Sequence, residues 1–168
     1  METIFAIIKV VGIVEALLFL GGVIWAVFMW AKGVTPALLR LGNGLAKRRI
    51  AIFAKGDNRE SLRNLLLDSK LFRAKNILEI TKTEDIGRAK GATVYLVHWH
   101  DWFDHIGQVL EQKPDQCSLV VYAPYDLGRI PDQQMKNLDS KRHTSVTNFR
   151  GRLLNDIVAS MITTSYER

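Results

Sequence analysis

The segment from Val10 to Trp30 runs for 21 residues with one charged side chain, Glu15. A helix of that length spans about 32 Å, enough for a hydrocarbon core of about 30 Å. A cleaved signal peptide is the rival reading. Against it, no basic region precedes the apolar run and no clean small-x-small site follows it. Trp25 and Trp30 stand near the C-terminal end, where interfacial aromatics are expected. Lys32, Arg40, Lys47, Arg48 and Arg49 come after the segment, whereas Glu2 precedes it. By the positive-inside rule the N-terminus lies outside and residues 32–168 in the cytoplasm, as in a single-pass membrane protein. Several of the cations behind the net charge of +6 sit in this cluster, which membrane topology explains, and no nucleic-acid partner is expected.

A carboxylate inside the bilayer costs roughly 2.5–3.5 kcal/mol by insertion scales unless it is paired, protonated or wet. Glu15 therefore either sits protonated and partly hydrated or faces other protein helices, in a homo-oligomer or against a partner. Lys9 lies six residues earlier and would snorkel to the outer interface. Lys9 and Glu15 are the expected membrane-assembly residues, with the lipid bilayer as partner. The transmembrane helix is assigned to residues 1–32 and a juxtamembrane connector to 33–47. In the connector, Thr35-Pro36 reads as an N-cap and first helical residue before a short amphipathic helix, Ala37 to Leu41.

Residues 48–168 alternate apolar strand-like runs with helical patterns. The strands are Ile50–Ala54, Asn76–Ile80, Ala92–Val97, Ser118–Tyr122 and Thr144–Asn148. Between them lie a helix capped by Asn58, a short helix capped by Thr83, one near Asp101 to Glu111 and a turn around Gln133 to Leu138. A last helix runs from about Arg150 to Thr163. Near-continuous apolar strands separated by helices imply a parallel sheet covered on both faces. Five such strands suggest a flavodoxin-like order, 2-1-3-4-5. The single Cys117 excludes an internal disulfide and reads as a buried thiol in a reducing compartment.

Ligands of open α/β sheets bind beyond the carboxyl ends of the strands, near the point where strand order reverses. Here those ends hold Lys55 and Asp57 after strand one, and His98, Trp99, His100 and Trp102 after strand three. Tyr125 follows strand four, and Asn148, Arg150 and Arg152 follow strand five. Tryptophan and tyrosine stack on a nucleobase and arginine engages phosphate, so these ten residues are the candidate site for a nucleotide-type ligand. Alternatively the aromatics cover the sheet edge or form a protein interface, and Arg152 pairs with Asp156 along its helix. No standard metal spacing, Walker motif, Gly-x-Gly-x-x-Gly or Gly-x-Ser-x-Gly is present, so neither a cofactor nor a catalytic residue is assigned.

Residues 48–124 resemble the front half of a TIR or receiver-type domain. The likeness lies in Ile50–Ala54, in Asp85-Ile86-Gly87-Arg88-Ala89 before Ala92–Val97, and in Trp99 and Trp102 opening the next helix. The layout is also similar to bacterial membrane effectors of anti-phage immunity. The resemblance implies a cytosolic domain that senses a nucleotide signal and oligomerises while its helix acts in the membrane. It also admits a TIR-like NAD glycosidase using Asp101 or Asp104. A non-sensing subunit that docks a larger complex at the membrane is the remaining expectation.

Overall fold

The computed structural model describes residues 2–38, 42 and 48–164. The chain divides into two units, Met1–Gly42 and Asn43–Arg168.

The first unit is dominated by one helix, α1 (Glu2–Ala31). Its stretch Ile8–Ala31 is long and apolar enough to cross a membrane, at about 36 Å. Leucine, isoleucine, valine and phenylalanine side chains are exposed along its length, Leu18 and Phe19 among them. A helix apolar all round needs surroundings other than water. At its end the Lys32 ammonium lies 4.7 Å from the centre of the Phe28 ring. Residues 34–38 are helical, so Thr35 lies inside a turn and does not cap one. Arg40, Lys47 and the end of the expected Ala37–Leu41 helix fall outside the described residues.

The second unit is a Rossmann-like α/β domain. Its strands are β1 (Ile50–Phe53), β2 (Ile77–Ile80), β3 (Val94–His98), β4 (Ser118–Tyr122) and β5 (Thr144–Thr147). All are parallel, in the order β2-β1-β3-β4-β5 read from the sequence. The helices are α2 (Gly56–Asp68), the single turn α3 (Trp99–Trp102), α4 (Ile106–Gln112), α5 (Asp132–Asp139) and α6 (Arg150–Thr163). The segment Thr83–Gly91 is a 3₁₀ helix, preceded by Lys82 at the position expected for Thr83.

Strand side chains alternate between two cores. Ile50, Ile52, Val94, Leu96, Val120 and Tyr122 pack with Leu62 and Leu66 of α2 and Leu153, Ile157 and Met161 of α6. Ala51, Phe53, Tyr95, Val97, Leu119 and Val121 pack on the other face with α3, α4, α5 and the 3₁₀ segment. The faces follow from the hand of the crossovers. The chain leaves β1 in one direction, to β2, and later runs the opposite way, to β3, β4 and β5. Right-handed connections in opposite directions must cover opposite faces. The loops after β1 and β3 therefore diverge, and the gap between them is the switch point.

Phe53 is the centre of the second core. Its ring meets Tyr95 at 5.0 Å and stands edge-on to Trp102 at 5.2 Å and 89°. Phe53→Ala is expected to cost about 3–5 kcal/mol, through lost burial and the cavity left behind. Urea unfolding of the detergent-solubilised chain, followed by tryptophan fluorescence, measures it; a loss below about 1 kcal/mol would mean that this packing is not present in solution.

Candidate functional site

The switch-point gap is closed by one side chain. Asp101, in the turn after β3, accepts a hydrogen bond from the Lys55 backbone N–H at 2.9 Å through Oδ2. Its two carboxylate oxygens also receive the Asn58 amide, at 3.1 and 3.3 Å. The helix after β1 starts at Gly56, two residues before the expected cap, so Asn58 lies in its first turn and spends its amide on Asp101. Gly56 permits this entry, because its φ of +49° lies in the left-handed region that a β-carbon disfavours.

His98 completes the cluster. Its Nδ1 lies 3.2 Å from Asp101 Oδ2 but is not aligned for a hydrogen bond. Its ring stands edge-on to Tyr122 at 5.8 Å, and the His100 ring is 6.5 Å away. The side chain is 2% exposed. Burial holds the imidazole below its ordinary pKa, the Asp101 carboxylate opposes that shift, and His100 adds to it. The strand ends at His98 and the chain turns into α3, so His98 and His100 are not alternate residues of one extended strand.

The two tryptophans lie inside the domain. Trp99 is 4% exposed and Trp102 0%, so neither indole offers a free face for stacking. With Ile106, Val109 and Leu110 they form a buried stripe. The spacing 99, 102, 106, 109 is that of one helical face, and the signal was present in the sequence. Phe103, just after Trp102, is exposed.

Cavities open on either side of the Asp101 closure. One, of about 600 Å³, lies past the ends of β4 and β5. Ala123, Ile130, Met135 and Val146 give it apolar walls, and Tyr125, Arg129 and Asn148 supply polar groups. Its loop turns at Gly128, with φ +104°, and His100 Nε2 would lie 3.9 Å from a β-carbon there. The other, of about 390 Å³, lies past β1 and β2 and includes Lys55 and Trp102.

The ten candidate residues are thus dispersed. Tyr125 and Asn148 share the larger cavity, and Lys55 and Trp102 the smaller one. His98 lies at the Asp101 closure, with His100 6.5 Å away. Asp57 is exposed in the first turn of α2. Arg150 donates from Nη2 to the Ser61 carbonyl at 3.0 Å, tying α6 to α2, and Arg152 is exposed on α6. Sequence reasoning missed Arg129, Ile130 and Met135, which follow a short loop with no motif. Cys117 is buried just before β4, and burial pushes its thiol up to about 12, which keeps it protonated and unreactive. Among the described residues, no group of three or more histidine, cysteine, aspartate or glutamate side chains is placed to hold a metal.

Comparison with protein-family models, curated proteins and solved structures finds no match to this chain.

The depressed His98 has a consequence for stability. The unfolded chain takes up a proton near the ordinary pKa of about 6.5, while the folded domain resists until lower pH. Stability contributed by neutral His98 is therefore complete above about pH 6.5 and lost as pH falls from there through the folded value. The urea midpoint should drop between about pH 7.5 and 5.5, and His98→Gln should drop less over the same interval. Equal drops would remove His98 as the cause.

Proposed function

We propose that this protein is a membrane-anchored sensor or effector. On this reading Ile8–Ala31 spans a bacterial inner membrane with the N-terminus outside, and the flavodoxin-like domain binds a nucleotide-type ligand in the cytoplasm. The observation that carries it is the cavity beyond β4 and β5, with apolar walls and Tyr125, Arg129 and Asn148 as its polar groups. Its volume of about 600 Å³ falls within the range of small-molecule sites, roughly 300–1,000 Å³. Ala123, Ile130, Met135 and Val146 suit the flat face of a base, Arg129 can take phosphate oxygens, and Asn148 can read donor and acceptor edges. Ligand binding would act by favouring one assembly state of the anchors, with Glu15 facing neighbouring helices and Lys9 at the outer interface.

A docking role has its own support. Tyr125 is 83% exposed, and Leu127 and Phe149 are exposed on loops at the same end of the sheet. Such side chains suit a protein partner. The glycosidase alternative has less support at Asp101, whose carboxylate is engaged by Lys55 and Asn58, while its other candidate, Asp104, is exposed in the turn before α4.

Thermal unfolding of the full chain in detergent, against NAD, cyclic ADP-ribose species and cyclic oligonucleotides, separates these readings. A ligand at about 100 times its Kd should stabilise by about 2.7 kcal/mol. Arg129→Gln should raise that Kd at least about tenfold, near 1.4 kcal/mol, without changing stability in its absence. No shift with any of these ligands would favour the docking role.

A further inference from the structure

The smaller cavity, past β1 and β2, has a different character. Lys55, Lys82, Thr81, Thr83 and His105 line it. Trp102 forms part of its wall, fully buried, and the indole Nε1 has no hydrogen-bond partner. Lys55 Nζ lies 5.8 Å from the centre of that indole, and the His105 ring stands edge-on to it at 6.1 Å. Glu84 is the one carboxylate in the lining.

The groups gathered here mostly donate. Lysine and indole N–H can only donate, and a threonine hydroxyl can rotate to do so. A ligand that satisfies them must offer several acceptor oxygens and negative charge. A buried donor without a partner is uncommon in native proteins and asks for an explanation. We propose that this cavity is an anion site for a tetrahedral oxyanion, inorganic phosphate or a phosphate monoester. Lys55 and Lys82 supply the charge and Thr81 and Thr83 the hydroxyl contacts, beside the wall that the Trp102 indole forms. The site is separate from the cavity beyond β4 and β5 and does not rest on the function proposed for it.

Full-length protein in detergent, with its tryptophans labelled with ¹⁵N, tests this by titration with inorganic phosphate at constant ionic strength. One indole N–H resonance should move saturably, while sodium chloride at matched ionic strength leaves it in place. Lys55→Gln combined with Lys82→Gln should weaken the response at least tenfold; the Lys55 bond to Asp101 uses the backbone and survives that change. Glycerol phosphate moving the same resonance at lower concentration than phosphate would assign the site to a monoester, and the reverse order to the free ion. Either order supports an oxyanion site. The proposal is overturned if no indole resonance moves saturably, or if the lysine variant titrates like the wild type. It is overturned equally if Arg129→Gln alone abolishes the response, because the anion would then sit beyond β4 and β5.

Discussion

Two loops diverge at the carboxyl edge of the sheet, and the carboxylate of Asp101 holds them together. It receives a backbone N–H from the loop after β1 and a side-chain amide from the first turn of α2. The hydrogen bonds use a charged acceptor, the stronger kind in proteins. In a doubly wound sheet this gap is the usual place for a ligand, because the chain leaves it in opposite directions. Here a side chain of the protein occupies it. His98 is buried directly against that carboxylate, and Trp102, one residue further on, anchors the same turn in the core against Phe53.

Closing the gap moves the open space to its flanks. Beyond β4 and β5 the walls are largely apolar, with a few polar groups, and beyond β1 and β2 the lining is mostly donors. The Asp101 turn also joins them structurally. Lys55 gives its N–H to Asp101 and its side chain to the smaller cavity, while His100, beside Asp101 in sequence, approaches Gly128 at the larger one. A change at either flank therefore acts on residues adjacent to the same carboxylate.

Much of the fold was legible because strand patterns here are strong. Five apolar runs predicted five strands, and the parallel order followed from their alternation with helices. Strand ends shifted by a residue or two where propensity was weak, as at Asn148 and Ala92. The start of α2 was misplaced because Asn58 has the chemistry of a cap, while Gly56 can enter the helix through a left-handed conformation. The site was harder to read. Trp99 and Trp102 looked like a binding surface because they cluster with histidines, yet their spacing with Ile106 and Val109 marks a buried helical face. Arg150 looked like an anion ligand, but its guanidinium meets the Ser61 carbonyl across 89 residues of sequence. Neither local pattern nor composition encodes such long-range partners. Arg129 and Met135 come to the cavity only through the path of the loop after β4.

The Asp101 closure is tested most directly by a double-mutant cycle between Asn58→Ala and Asp101→Ala, with stability measured by urea unfolding of the full chain in detergent at neutral pH. A direct hydrogen bond to a carboxylate predicts that the two losses do not add, with a coupling of about 1–3 kcal/mol. Losses that add to within about 0.3 kcal/mol would contradict it. Asp101 would then hold no bond to α2 in solution, and the switch point would be open to a ligand.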